Sequence, residues 1–257
     1  FRVPDVIANL RLDQAWGFAG ISAALHDASG AYYGVNSVNN GHPADRYGWA
    51  MAAGAKFNLQ GGDMIGFNVC YTEGAPGFCT NNGVWTLYNS NTSVGFGWIA
   101  DGVFTTGSQV ELTRVWSALA FYEHIWNPKW RTSWFGGYVN VDYGSTATNF
   151  ILQRAPGALA ACGVAPVAPV LAAATSTTLL PGNSCSPDYS FWEVGSRTQW
   201  NPVPQLDIGV EVLYSARNTA FKGVAFVPAS GSRPPVTVID DQGVWSAMVR
   251  WQRNFYP

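Results

Sequence analysis

Charge is scarce in this sequence. Asp, Glu, Lys and Arg supply 12% of its 257 residues, about half of the ~25% usual in a soluble globular domain. Long apolar runs are missing as well. A membrane-crossing helix needs about 18 or more consecutive apolar residues, and no stretch qualifies. The nearest, Gly163 to Leu180, is uncharged but broken by Pro166 and Pro169 and diluted by Ser and Thr. It reads as a low-complexity loop. The inventory for chemistry is equally thin. His26, His42 and His124 are scattered, and neither a Cys-x-x-Cys nor a Gly-x-Ser-x-Gly motif occurs. That argues against a zinc site and a serine-hydrolase elbow. Glu123-His124 is an adjacent acid–His pair, and it reads as structural beside an aromatic turn. Glu193 and Glu211 are carboxylates that could meet across neighbouring strands, as glycoside chemistry requires. Acidic residues on a wet wall account for them as well. Neither an enzyme nor a metal or other cofactor is expected. The net charge of −2 gives no reason to expect nucleic acid as a partner.

Aromatic residues, by contrast, are abundant at 14%, while 28 Gly together with Asn, Ser and Thr hold mean hydropathy near zero at +0.02. Their order explains the combination. Trp245, Ala247, Val249, Trp251 and Phe255 fall on one face of an extended segment, and Ser246, Met248, Arg250, Gln252 and Asn254 on the other. Side chains alternate along a strand, so this segment has one apolar wall and one wet wall. Rings at both ends of the apolar wall match a lipid-facing barrel strand. The pattern recurs in nine segments: 4–13, 16–26, 46–59, 63–73, 111–126, 129–143, 189–200, 205–215 and 243–255. In 46–59, Tyr47, Trp49, Met51, Ala53, Ala55, Phe57 and Leu59 oppose Gly48, Ala50, Ala52, Gly54, Lys56 and Asn58. The small inner residues leave open volume or admit a closely packed loop. Segments 111–126 and 129–143 are apolar on both faces, so alternation does not fix their wet side.

Short connections near 14–15, 60–62, 127–128 and 201–204 alternate with long ones over 27–45, 74–110, 144–188 and 216–242. Short turns at one end and long loops at the other mark an outer-membrane barrel. A sandwich or propeller has no reason to sort its loops so. The expected fold is therefore all-β, a transmembrane antiparallel β-barrel with about nine strands, read as one domain over 1–257. The run 74–110 also holds strand-like Val84 to Tyr88 and Val94 to Ile99. Nine is odd, and an open sheet leaves two unpaired edges in lipid, so further strands are expected from this protein or a partner. The start at Phe1, almost inside a strand, likewise leads us to expect a preceding portion. Cysteines fall into two local pairs, Cys70 with Cys79 and Cys162 with Cys185. Both close loops in turn-rich sequence, as disulfides in an oxidising compartment would.

Pro4-Asp-Val-Ile-Ala-Asn-Leu-Arg-Leu-Asp-Gln-Ala-Trp-Gly17 resembles a strand-and-turn segment of the alphaproteobacterial porin family. So do Phe121-Tyr-Glu-His-Ile-Trp-Asn-Pro-Lys-Trp-Arg-Thr-Ser133, Arg197-Thr-Gln-Trp-Asn-Pro202 and Trp251-Gln-Arg-Asn-Phe255. The resemblance implies a sixteen-stranded, homotrimeric passive pore of the bacterial outer membrane, of which this would be the C-terminal part. Seven strands and the pore-narrowing third external loop would then precede it. Outer-membrane lipid, lipopolysaccharide and small hydrophilic solutes are the partners such a pore implies. The Tyr256-Pro257 tail departs from barrels that end on the aromatic itself.

A pore acts through the width and fixed charges of its water-filled lumen. Strand phase puts Arg11, Lys56, Arg197 and Arg250 on the wet wall as a basic set, with Glu193, Asp207 and Glu211 as the acidic set. Basic residues facing acidic groups across a lumen would set up a transverse field that orients dipolar solutes. The plainer alternative is that these charges only keep the wall wet and pair with one another. Two further readings stand beside the pore: a soluble lectin-like β protein, and a plugged or structural barrel that binds a partner. Trp49, Trp200, Trp245 and Trp251 on apolar faces near strand ends suit a membrane girdle. A sugar site would want exposed rings on a polar surface.

Overall fold

A computed structural model describes residues 3–33, 38–80, 83–90, 93–154, 178–179, 184–226 and 236–255. The strands are β1 (Val6–Gln14), β2 (Gly17–Asp27), β3 (Tyr47–Asn58), β4 (Met64–Glu73), β5 (Gly83–Ser90), β6 (Ser93–Ile99), β7 (Gly102–Val103) and β8 (Glu111–Leu112). They continue as β9 (Arg114–Asn127), β10 (Trp130–Asp142), β11 (Thr178–Leu179), β12 (Tyr189–Val203), β13 (Leu206–Asn218), β14 (Gly223–Phe226), β15 (Val236–Ile239) and β16 (Gln242–Arg253). One helix, α1 (Gly144–Arg154), follows β10.

Nine strands make the wall, in the order β1-β2-β3-β4-β9-β10-β12-β13-β16. Every pairing is antiparallel, and apart from two irregularities beside tight turns each pair keeps register throughout. These are the nine segments expected from the sequence, with ends within three residues. The sheet is open, with β1 and β16 at its edges.

The tight turns follow from local chemistry. Gly17 has φ +138°, and a Cβ there would stand 1.9 Å from the Lys56 carbonyl oxygen. Gly61 and Gly62 take φ of 83° and 93° between β3 and β4, a conformation that costs glycine little. After β9, the Lys129 N–H donates to Asn127 Oδ1 at 2.9 Å, an Asx turn that reverses the chain.

Five of the other strands form a separate sheet in the order β11-β14-β15-β6-β5. Its strands come from three different long connections, so the strand-like runs at 84–88 and 94–99 belong to this sheet and not to the wall. The run 144–188, expected as an irregular loop, opens with α1, and most of Gly163 to Leu180 lies outside the described residues.

The dry core sits between the loops and the upper inner face of the wall. Ile99, Val103, Tyr143, Ala147 and Ala220 from the connections pack on Val115, Val141 and Tyr189 of the wall. Register aligns Ala24, Ala50, Thr72, Val115, Val141 and Tyr189 in one row across six strands. Every member of that row is buried. The loops therefore fold inward and cover a continuous strip of the inner wall.

The small inner residues of β3 divide between the two expectations. Ala50 packs with Ala24 and Ala75 of the inturned segment, and a Cβ on Gly48 would lie 2.3 Å from the Gly74 carbonyl oxygen. Ala52 and Gly54, nearer the short turns, instead line an open hollow of about 440 Å³. Gly48→Ala should thus force the backbone at Gly74 outward and cost about 1–3 kcal/mol, as overpacking does. A denaturant unfolding curve on the refolded protein, set beside Gly61→Ala, checks this. Gly61 meets no atom within 4 Å, so it reports the turn alone.

Candidate functional site

Because paired residues in a sheet share a face, the register assigns every wall side chain to one side. Leu10, Ile21, Ala53, Val69 and Ala118 form one outer row, and Val194, Tyr214 and Trp245 another. This outer face is apolar and bears two bands of rings. Near the long loops, Trp49–Tyr71, Trp116–Tyr138, Trp192–Tyr214 and Tyr214–Trp245 lie with centroids 4.9–5.4 Å apart. Near the short turns, Trp16–Phe57, Tyr122–Trp134 and Trp130–Trp200 stack at 5.3–5.8 Å. On β12 the bands are marked by Trp192 and Trp200, roughly 26 Å apart at ~3.3 Å per residue. Two ring bands with an apolar zone between them are the lipid-facing pattern of a barrel, and all four tryptophans singled out from the sequence lie on that face.

Between the two ring bands the charge lies on the opposite face, while Glu73, Arg114 and Asp142 share the outer face at the level of Trp49. Arg11, Lys56, Glu193, Arg197, Asp207, Glu211 and Arg250 all fall on the inner face by register. They are arranged in two groups. At the β1–β3 edge, Arg11 donates to Asp13 at 2.8 Å and its guanidinium stacks 4.1 Å over the Phe18 ring. Lys56 Nζ approaches the same ring at 5.8 Å. The strands between the groups show mainly apolar groups inward, with Phe121 over Gly66 and Phe135 over Gly195.

The second group spans β9 to β16. Asp207 accepts from Gln199 Nε2 at 2.8 Å and from Arg131 at 3.2 Å. Arg131 also donates to Gln199 Oε1 at 3.2 Å. Glu193 accepts from Ser215 Oγ at 2.9 Å, and Glu123 from Ser133 Oγ at 2.8 Å. Arg250 donates to Gln252. Arg197 stands opposite Glu211 in the register, yet no ion pair joins them among the described residues. Arg131 and Glu123 belong to this wall although alternation does not reveal them. The signal available was the Asn127-Pro128 turn, which puts Trp130 in the ring band and so turns Arg131 inward.

These positions separate the groups that catalysis would need together. Glu123 faces inward and His124 outward. Glu193 pairs with Ser215 and Glu211 with Arg197, which leaves the two carboxylates four residues out of step, about 13 Å along the strands, beyond the ~5–9 Å that glycoside chemistry uses.

A family profile described as "Porin subfamily" matches residues 1–245. The chain belongs to the porin family. In an outer-membrane barrel of this family the apolar, ring-banded face is the one that meets lipid. No curated protein matches the sequence. Among solved structures, the crystal structure of the outer membrane channel DcaP of Acinetobacter baumannii matches with a TM-score of 0.51 and 13% identity. The match covers 97% of this chain and 52% of that one, so this porin chain spans about half the channel's length. At that identity the likeness is one of fold.

Two clamps hold the porin wall at its ends. At the long-loop end, a disulfide joins Cys70, on the inner face of β4, to Cys79 after the Pro76–Phe78 turn. It ties the inturned segment to the wall, and Ser117 Oγ adds a bond to the Cys79 carbonyl at 3.1 Å. Cys185 is also disulfide-bonded, while its expected partner Cys162 lies outside the described residues. Near Phe78 of the Pro76–Phe78 turn, with ring centroids 6.4 Å apart, buried His26 bridges Asp5 at 2.8 Å and Asp101 at 3.3 Å, linking the wall to the segment before β1 and to a long connection.

At the short-turn end, Asp63 accepts from the Ile125 N–H, His124 Nδ1 and the Tyr122 hydroxyl at 2.9, 2.8 and 2.7 Å. These bonds, the Ile125 N–H foremost, hold its carboxyl down to about 2. An unfolded Asp titrates near 3.9, so this clamp is fully present above about pH 4 and is lost as pH falls through about 2. Asp63→Asn should then unfold more readily than wild type at neutral pH. The gap should narrow steadily between pH 4 and 2 in parallel denaturant titrations; a gap independent of pH would contradict the assignment.

Proposed function

We propose that this chain forms one wall of a passive diffusion channel for small hydrophilic solutes and ions, of the alphaproteobacterial porin type. The observation that carries the reading is the two-faced sheet: charges and polar residues share one face, and lipid-matched apolar residues with two ring bands occupy the other. In this reading Arg11, Lys56, Arg197 and Arg250, with Arg131, are the basic lining. Glu193, Asp207 and Glu211, with Glu123, are the acidic lining. The field between such groups acts on solutes by position and charge, with no bond made or broken, so the protein is not an enzyme.

The edges β1 and β16 each present a row of backbone donors and acceptors, which lipid cannot satisfy. Further strands therefore meet both edges, and seven would complete a sixteen-stranded barrel forming a single domain. Homotrimeric assembly and lipopolysaccharide around the outer rim complete the proposal, both resting on the resemblance to the family.

A second reading, a plugged barrel that binds a partner, draws support from the buried row beneath the inturned loops. Conductance separates the two. The full protein in a planar bilayer under a salt gradient should give discrete steps with a stable reversal potential. Glu193→Gln with Glu211→Gln should then raise the anion-to-cation permeability ratio about twofold, and Arg11→Gln with Lys56→Gln should lower it about as much. Silence from a correctly inserted barrel would favour the plug. A reversal potential indifferent to all four residues would remove them from the lining.

A further inference from the structure

Near the short turns, the inner face of β10, β12, β13 and β16 encloses a cleft of about 720 Å³. Lys129, Arg131, Arg197 and Arg250 all line it, and Asp207 is its one acidic lining residue. Asp207 is committed to Arg131, Gln199 and Asn201, which neutralises one cation of the four. Arg250 is held by a neutral amide, Gln252. The remaining guanidinium is the most telling. Arg197 Nε is closed off from solvent and has no hydrogen-bond partner among the described residues. A donor left in that state is costly, and an acceptor that reached it would relieve the cost.

The floor of the cleft fits a small ligand. Gly209 lies between Gln199 and Arg250 in the register, and nothing stands closer than 3.7 Å to the place its Cβ would occupy. Arg197 and Arg250 sit two strands apart, about 10 Å at ~4.8 Å per strand, a span that two arginine side chains bridge by converging over that glycine. Planar guanidinium groups match the paired oxygens of phosphate and carboxylate.

We infer that Arg197, Arg250 and Lys129 form a binding station for a small doubly charged oxyanion at the short-turn end of the lumen. The inference rests on this face being the wet one, and it adds a ligand class and a place to the channel reading. Three cations remain once Asp207 has taken Arg131, enough to neutralise both charges of such a ligand. Glu211 and Glu123 share the register row of Arg197, and Arg250 and Lys129 lie beyond that row toward the short turns, so an oxyanion coming from the long loops meets these carboxylates before it reaches Arg250 and Lys129. The station is thus approached most readily from the short-turn side.

Inorganic phosphate is the probe. Equilibrium dialysis of the detergent-solubilised full chain should show saturable phosphate binding that weakens about tenfold or more in Arg197→Gln/Arg250→Gln. Arg197→Lys should recover part of it, since the charge returns without the fork. Lys222→Gln, in a distant connection, should bind as wild type does. In bilayers, phosphate added on the short-turn side should reduce chloride current in wild type and not in the double variant. Absence of saturable binding in a conducting channel overturns the station and leaves the channel intact. Binding unchanged in the double variant overturns these residues as its ligands. Saturable binding without any conductance keeps the station and overturns the channel.

Discussion

Everything in this molecule depends on the antiparallel ladder staying in phase across nine strands. Side chains alternate with a period of two, so one slip of register would exchange the lipid face and the water face from that strand onward. The pairings from β1 to β16 contain no such slip between the tight turns. What enforces the phase is the cost of error. A misplaced arginine would meet hydrocarbon and a misplaced tryptophan water, and both carry penalties. The turns set the frame, with Gly17 seated on the Lys56 carbonyl and Asp63 drawing β9 to the β3–β4 turn.

Where a strand meets lipid on one side and water on the other, its sequence shows it, and the wall was legible for that reason. β1, β3, β12, β13 and β16 set charged and apolar residues largely on opposite faces, and the seven charges read from them all fall on one face. Legibility fails where a third environment intervenes. β9 and β10 are apolar on both faces because Val115 and Val141 face the dry core under the loops, while Phe121 and Phe135 lie flat over glycines of neighbouring strands. Local pattern does not distinguish burial beneath a loop from exposure to lipid. Arg131 and Glu123 were hidden by that ambiguity. The loop sheet was hidden by another: β5 and β6 look like wall strands, and only their partners reveal a different sheet.

The inner wall consequently has zones along its length. Loops cover the row from Ala24 to Tyr189 at one end, with the Cys70–Cys79 disulfide as one anchor. Below it come Glu193, then a row that holds Glu123, Arg197 and Glu211, and then Arg131 and Arg250. In the proposed channel a solute would meet the loop-covered zone first and the charged zone afterwards. On that proposal the connections govern width and the strands govern charge.

The parallel pairing of β6 with β15, through Val238 with Ser93 and Ile239 with Val94, bears on the order of assembly. These residues are distant in the chain, and contacts of that kind form slowly because a long loop must close before they return any stabilisation. Neither partner has a place to dock until the strands between them stand side by side. The cap is therefore a late event in folding, and its completion reports that the intervening wall has been laid down in order. A protease present during membrane insertion would read the same event as a clock, with cutting of the long connections ending only when the last of them joins its sheet.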